Sequence, residues 1–293
     1  TIIVAPTFIN DGVSCDGPTE SFTITVNPTA QVDIPVDQVI CNAEATTVLF
    51  TTDNTVGVTG YAWTSDIEIG AGLTGAGDMS FTAANEGTDP LVATIIVTPT
   101  FTNEGVSCDG PTESFTITVN PTAQVDIAVD QVVCNAEAIS VLFTTENTVG
   151  VTAYAWTSDI EIGAGLTGAG DMSFTAANEG TDPLVATIIV TPTFTNEGVS
   201  CDGPTESFTI TVNPSAQVDT PDDMVVCNND LTELVAFTTQ NTNGDTSYTW
   251  INDTPSIGLA ATGSVDITSF IAVNEGTEPL VATITVTPLF SNE

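Results

Sequence analysis

Six cysteines are the residues of this chain whose spacing most clearly indicates chemistry. They form two series with the same step of 93 residues, namely Cys15, Cys108 and Cys201, and Cys41, Cys134 and Cys227. Intervals of 26 and 67 residues alternate along the chain, whereas structural zinc sites use close Cys pairs such as C-x-x-C. The cysteines are therefore predicted to form disulfides, which indicates an oxidising, extracellular setting.

Two disulfide frameworks fit this spacing. One pairs cysteines within a repeat, Cys41 with Cys108 and Cys134 with Cys201, and the other pairs sequence neighbours across a repeat boundary. A strand over the segment ESFTITVN would carry the chain about 25 Å away from Cys108, whereas bridged Cα atoms lie within about 7 Å of each other. Pairing within a repeat is favoured, and it leaves Cys15 and Cys227 to pair with partners outside this sequence.

Carboxylates are the second group of side chains that could take part in catalysis or binding. The chain contains 38 Asp and Glu residues but no Lys, Arg or His, and general acid–base catalysis usually relies on His, Lys, Cys or a tuned carboxylate. Asp66 and Glu68 form a carboxylate pair that recurs at Asp159 and Glu161, but the third copy keeps only Asp253. Three tandem active sites would be unusual, so we expect no enzymatic activity and no catalytic residue.

Calcium binding is another chemistry that carboxylates could support, because Ca²⁺ prefers oxygen ligands. The weak candidate ligands lie near the predicted repeat junctions: Asp33, Asp37, Asp126 and Asp130. No D-x-D-x-D-G loop is present, so the signal comes from composition rather than from a motif. Free surface carboxylates are the favoured interpretation, no cofactor is expected, and calcium stays open as an alternative.

Three tryptophans also follow the repeat: Trp63, Trp156 and Trp250. Exposed indole rings could stack on sugars, but the Trp on the third strand of a β-sandwich is usually a core residue. We predict that all three are core residues.

The formal net charge of −38 limits the classes of partner. A negative field repels nucleic acid and anionic membrane surfaces. No run approaches the roughly 20 apolar residues of a membrane-spanning helix. The sequence therefore predicts neither nucleic-acid binding nor membrane insertion.

The elements that position these residues follow a two-residue alternation. The segment ESFTITVN places Phe115, Ile117 and Val119 on one face and small polar residues on the other. Further strands are predicted in LVATIIVTPTF, in TTVLFTT, around Trp63 and in DMSFTAAN, and no segment indicates a long helix. A period of 93 residues suits one small β-sandwich per repeat. The sequence therefore predicts an all-β chain of tandem sandwiches.

Domain boundaries are predicted at the Asn-Pro pairs that close each repeat, because proline ends strand pairing and stiffens a short linker. Residues 1–28 then form the C-terminal strands of an incomplete repeat. Complete repeats follow at 29–121 and 122–214, and residues 215–293 form a third repeat that lacks its last strand. The short, non-flexible linkers favour an elongated rod.

With its motifs in place, the chain resembles a known family over essentially its whole length. The motifs are the Y-x-W of SYTWIN, the turn PSIGLAATGSVD, the strand EPLVATITVTP and the recurring SCDGPTESFTITVNP. The first two repeats differ at the turn, where they read TSDIEIGAGLTGAGD. The chain resembles the PKD-like, immunoglobulin-like tandem repeats of giant cell-surface adhesins in Bacteroidota. This resemblance implies type IX secretion, a bacterial cell-surface location and a role in adhesion, including gliding motility.

These observations predict a structural stalk or filament that projects a distal binding region. Its partners would be neighbouring repeats of the same chain, with a surface or glycan ligand bound by regions outside this sequence. Residues 1–11 follow the pattern of residues 283–293, which leaves open a self-polymerising filament subunit joined by strand donation. A calcium-rigidified stalk or a glycan-binding module is a further alternative.

Overall fold

The computed structural model describes residues 1–292. The chain is built almost wholly from β-strands, and the one helix among these residues is a 3-10 turn at Pro255–Ile257. Two compact units are present. The first contains Thr1–Thr122 together with Asn196–Cys201, and the second contains Ala123–Thr195 and the chain from Asp202 onward.

The strands of the N-terminal part are β1 (Ile2–Val4), β2 (Thr7–Asn10), β3 (Val13–Asp16), β4 (Glu20–Phe22), β5 (Gln38–Cys41), β6 (Ala45–Val48), β7 (Val58–Ser65), β8 (Thr74–Ala76), β9 (Met79–Thr82), β10 (Leu91–Asn103), β11 (Val106–Asp109) and β12 (Glu113–Asn120).

Strands β5 to β12 form the first sandwich. Its large sheet has the order β5-β12-β10-β7-β8, with β11 added to β10, and its small sheet pairs β6 with β9. All neighbours are antiparallel except β5 and β12, which run parallel. The core lies between the two sheets, where Val48 and Met79 from the small sheet join Ile95 and Ile117 from the large one. These four side chains are 2% exposed or less.

The strands of the C-terminal part are β13 (Gln131–Cys134), β14 (Ala138–Val141), β15 (Val151–Ser158), β16 (Thr167–Ala169), β17 (Met172–Thr175), β18 (Leu184–Asn196), β19 (Val199–Asp202), β20 (Glu206–Asn213), β21 (Asp245–Asn252), β22 (Thr262–Ser264) and β23 (Ile284–Ser291).

The second sandwich repeats the first almost strand for strand. Its large sheet has the order β13-β20-β18-β15-β16, its small sheet pairs β14 with β17, and β13 runs parallel to β20. The alternation that the sequence predicted is confirmed on β18, where Ala186, Ile188 and Val190 are buried while Val185 and Ile189 are exposed. A strand with one buried face therefore has its register fixed by its own sequence.

The third sandwich is less complete. Within the described residues it has one three-stranded sheet, β22-β21-β23, and isolated bridges at Leu231–Ile271 and Val235–Ile267. Only Phe237, Trp250 and Ile267 are buried in its core cluster.

The N-terminal segment forms two small pairs outside any sandwich. Strand β1 pairs with β4, and β2 forms a hairpin with β3 that places Phe8 opposite Cys15. Every residue of these four strands is exposed.

Candidate functional site

A disulfide between different repeats is the most distinctive site of the molecule. Cys41, the last residue of β5, is bonded to Cys201 in β19, with a Cα–Cα distance of 5.6 Å and 160 residues between them in sequence. Cys201 is 4% exposed. The thiols of the other cysteines are free: Cys15, Cys108, Cys134 and Cys227.

The expected pairing within a repeat, Cys41 with Cys108 and Cys134 with Cys201, is wrong. Cys41 lies opposite Asn120 at one end of the large sheet, because β5 runs parallel to β12. Cys108 lies opposite Phe101, near the far end of β10. Val119 pairs with Leu91, so the two cysteines are separated by about ten residues of β10, or roughly 33 Å. A disulfide cannot span that distance.

Hydrogen bonds of three asparagines lie beside the bridge. Asn120 is fully buried, and its side-chain Oδ1 accepts a hydrogen bond from Asn196 Nδ2 at 3.0 Å. The carbonyl of Asn120 accepts from the backbone N–H of Asn42 at 2.9 Å. Asn42 in turn donates through its side chain to Thr122 Oγ1 at 2.9 Å. The segment that carries Cys201 is thus held by hydrogen bonds as well as by the covalent bond.

The same asparagine contact occurs one repeat earlier. Asn27 Oδ1 accepts from Asn103 Nδ2 at 3.0 Å, and Asn27 Nδ2 donates to the carbonyl of Val106 at 3.4 Å. Asn213 is the next member of this series and is 7% exposed, but its Oδ1 has no hydrogen-bond partner. From the sequence, these asparagines are predicted only to end strands before proline. Their exact recurrence beside Pro was the available signal for a structural role.

The carboxylate pairs considered for catalysis organise the backbone. Asp66 Oδ1 accepts from the N–H of Thr94 at 2.7 Å, and Glu68 Oε1 accepts from the N–H groups of Gly70 and Gly72 at 2.7 and 3.0 Å. Asp159 and Glu161 make the same bonds in the second sandwich: to Thr187, Gly163 and Gly165. Both members of each pair therefore support loops, and this arrangement accounts for them without catalysis.

The calcium candidates also bind threonines. Asp33 accepts from Thr51 Oγ1 at 2.7 Å, and Asp37 accepts from the backbone N–H of Thr116 at 2.7 Å. The second repeat has the equivalent bonds, Asp126 with Thr144 and Asp130 with Thr209. No group of three or more potential metal ligands occurs in residues 1–292. Calcium binding by Asp33, Asp37, Asp126 and Asp130 stays a prediction.

Two carboxyl groups have depressed pKa values. The Thr116 backbone N–H lowers the pKa of Asp37, and the Thr283 N–H, followed by the Thr254 hydroxyl, lowers the pKa of Asp253. In both cases hydrogen bonding favours the ionised form. Asp37 thus ties a loop to the central strand β12, and Asp253 ties a loop to the residue before β23.

The three tryptophans lie inside the sandwiches. Trp63, Trp156 and Trp250 are each 6% exposed. A Cβ atom added to Gly75 or Gly168 would lie 2.1 Å from the indole ring of the adjacent tryptophan, so only glycine permits this close contact. The indole faces are therefore covered by backbone and are closed to a sugar ring.

Comparisons with known proteins give low similarity only. No family model matches the chain, and no curated protein matches it. The similar solved structures include extracellular domains 3–5 of Drosophila OTK, at 11% identity over 90% of this chain and 98% of that one, with a TM-score of 0.29. The insect immune protein hemolin is 10% identical over 90% of this chain and 76% of that one, with a TM-score of 0.31. Sidekick-1 immunoglobulin domains 1–4 are 9% identical over 98% and 81%, with a TM-score of 0.29.

Membrane insertion by a helix is not indicated for the described residues, since none of them forms a helix that is long and apolar enough to cross a bilayer.

Proposed function

We propose that this chain is a load-bearing segment of the extracellular stalk of a bacterial surface adhesin. The observation that carries the proposal is the Cys41–Cys201 bond, which joins residues 160 positions apart and belonging to successive repeats. Disulfides persist in oxidising, extracellular surroundings. The resemblance to the repeats of giant Bacteroidota adhesins adds the expectation of type IX secretion and of a role in adhesion or gliding.

The position of the Cys41–Cys201 disulfide determines which part of the chain would carry a pulling force. A pulling force that enters at the N-terminus reaches Cys41 and can cross the sulfur–sulfur bond directly to Cys201. The chain between these residues contains most of two sandwiches, and the covalent bond keeps it from extending. A stalk built in this way keeps its length under load even when a bypassed sandwich opens.

The chemistry of the rest of the chain supports a structural role. The carboxylate pairs hold loops, the tryptophans fill cores, and the first two repeats are nearly identical in sequence. The net charge of −38 favours solubility and repels other acidic surfaces. In this proposal the ligand of the adhesin, such as a glycan or a surface, is bound by a region outside this sequence.

Single-molecule stretching from Thr1 to Glu293 tests the load path. With the disulfide intact, the 160-residue stretch stays closed, so the full extension is shorter than that of the reduced chain by roughly 550 Å, at about 3.4 Å per residue. The Cys41→Ser variant should extend fully without reductant, whereas Cys108→Ser should behave as the unmodified chain does. Equal extension with and without reductant would overturn the proposal.

A further inference from the structure

The third sandwich contacts the second through one short loop, residues 241–243. The backbone N–H of Thr242 donates to the carbonyl of Thr181 at 3.1 Å. Beside it, Asn243 Nδ2 donates to Asp182 Oδ1 at 3.3 Å. All four residues belong to the same compact unit. These hydrogen bonds form a joint between the second and third sandwiches.

Asn241 holds the linker between the two sandwiches at the same place. Its side chain is 8% exposed, and its Oδ1 accepts from the N–H of Gln217 at 2.8 Å. Its Nδ2 donates to the carbonyl of Ser215 at 3.1 Å and to the carbonyl of Thr181 at 3.4 Å. The linker and the joint therefore depend on the same loop.

Asn243 is followed by Gly244, and this is the one Asn-Gly pair of the sequence. Both residues are exposed and lie in a bend before β21. Because glycine has no side chain, the backbone nitrogen of Gly244 is unhindered, and the backbone there has the freedom to bring this nitrogen to the side-chain amide carbon of Asn243. An asparagine in this setting is chemically labile.

Packing requires the glycine. A Cβ atom at Gly244 would lie 2.3 Å from Cζ of Phe290 and 2.7 Å from the carbonyl oxygen of Ser291. The first two repeats have a glycine with the same close contact, and there the preceding residue is valine: Val56-Gly57 and Val149-Gly150. Every repeat therefore needs the glycine, but only the third places an amide side chain before it.

We propose that Asn243 is a site of spontaneous deamidation, and that its deamidation weakens the joint between the second and third sandwiches. The backbone nitrogen of Gly244 attacks Asn243 Cγ, the Cγ–Nδ2 bond breaks, and the amide nitrogen leaves as ammonia with the proton of the attacking nitrogen. Water then adds to either carbonyl of the five-membered imide, and ring opening gives aspartate or isoaspartate. The reaction consumes water and needs no other partner.

The product changes the charge of the joint. Asn243 supplies a donor to the Asp182 carboxylate, whereas an ionised carboxylate at position 243 would have only acceptors. Two like charges would then face each other, and such charges repel at a separation of about 4 Å even in water. The chain has no Lys, Arg or His to neutralise them. A hydrogen bond is therefore replaced by repulsion, directly beside the bond between Thr242 and Thr181.

Asn241 is an internal control on the same loop. It is buried, and both polar atoms of its amide are hydrogen-bonded. The residue after it is Thr242, whose β-branched side chain hinders the approach of the backbone nitrogen. Asn241 should therefore keep its amide under conditions in which Asn243 loses it.

Peptide mass spectrometry after incubation of the folded chain in mildly alkaline buffer measures the modification. Cleavage after acidic residues releases residues 234–245, LVAFTTQNTNGD, which contain both asparagines. The mass should rise by the difference between an OH and an NH2 group, and fragmentation should place the change at Asn243. Aspartate creates a further cleavage point after position 243, whereas isoaspartate does not, so the two products can be distinguished.

The variant Asn243→Asp reproduces the charge of the deamidated joint. Asp tolerates the φ of 57° at this position as Asn does. Amide exchange of Thr242, whose N–H bonds to Thr181, should become faster by a factor on the order of 10. Adding Asp182→Asn should restore slow exchange, because an amide at position 182 can donate to the new carboxylate. Asp182→Asn alone is the matched control and should exchange as the unmodified chain does.

Four results would each overturn the proposal: an Asn243 that stays intact, deamidation of Asn241 at the same rate, Thr242 exchange that Asn243→Asp does not alter, or a failure of Asp182→Asn to restore it. The outcome is separate from that of the stretching experiment, because the Cys41–Cys201 bond lies in the other compact unit.

Discussion

The second and third sandwiches have similar sequences but differ in how many of their strands are paired. In the second, β20 lies between β13 and β18, and its side chains Phe208, Ile210 and Val212 are 5% exposed or less. Among residues 1–292, the third sandwich has no strand on that side of β23, the segment equivalent to β13 is not a strand, and the buried cluster contains Phe237, Trp250 and Ile267. A central strand therefore contributes its own burial and also the pairing of the strand beyond it. In the second sandwich, the eight residues of β20 thus connect the strands on both of its sides.

The largest expected difference is in the free energy of unfolding lost at two equivalent isoleucines, one on β18 and one on β23. Ile188 is fully buried, whereas Ile284 is only partly buried. Ile188→Ala should lower the free energy of unfolding of the second sandwich by about 2–5 kcal/mol, because it leaves a cavity in a closed core. Ile284→Ala should cost less than about 2 kcal/mol, because water already reaches that side of the core.

Amide hydrogen exchange on β18 and β23 measures the two stabilities separately. The variant Ile189→Ala, at an exposed position of β18, serves as a control with little expected effect. Equal losses of unfolding free energy for Ile188→Ala and Ile284→Ala would show that the core around Ile284 is as well buried as the core around Ile188.

A smaller difference is expected between Asn178, which donates a hydrogen bond to β20, and Asn274, its counterpart in the third repeat. Asn178 is 2% exposed and donates to the carbonyls of Asp182 and Val212, whereas Asn274 is only partly buried and donates to the carbonyl of Glu278. Asn178→Ala should cost about 1–3 kcal/mol, because it removes the side-chain donor to the buried Val212 carbonyl. Asn274→Ala should cost less than about 1 kcal/mol, since water can replace the lost bond.

Chemical denaturation followed by exchange of the flanking amides checks this pair, with Asn178→Asp as the conservative variant. If Asn274→Ala lowered the free energy of unfolding as much as Asn178→Ala, the third sandwich would have to contain a strand that is hydrogen-bonded to Asn274, which residues 1–292 lack.

Much of the fold follows from local sequence. The alternation in ESFTITVN and LVATIIVTPTF predicts the strands and their buried faces, because only one register keeps the apolar side chains of such a strand in the core. The short strand β5 was not predicted. It has four residues, and it pairs in parallel with a strand nearly eighty residues later in the chain. No local pattern encodes such a contact.

The disulfide was mispredicted for a related reason. The length of β12 argues against a bond between sequence neighbours such as Cys108 and Cys134, which lie on either side of a repeat boundary. The same length separates Cys41 from Cys108 once β5 is known to run parallel to β12. Repetition identified the cysteines as a structural set, but their pairing depends on which end of the sheet each one reaches. That information lies in the strand order, and cysteine spacing does not contain it.

The smallest expected effect is a dependence on pH that compares the first and third sandwiches. The Thr116 N–H lowers the pKa of Asp37, and the Thr283 N–H lowers the pKa of Asp253. A carboxyl group whose pKa is depressed on folding stabilises the fold above its unfolded value of about 3.9, and the contribution is lost as the pH falls through the folded value. Both sandwiches should therefore lose this contribution below about pH 4.

Asparagine variants isolate the contribution from the general effect of acid, which also reduces the repulsion among the 38 acidic groups. The stability difference between Asp37→Asn and the unmodified chain, followed at β12 amides, should be present at pH 6 and should shrink towards pH 2. Asp253→Asn should show the same trend at β23. A difference for Asp37→Asn that did not change with pH would mean that the ionised form of Asp37 is not what holds Thr116. The conformation of the loop would then not depend on the charge of the carboxylate, in the first sandwich or in the third.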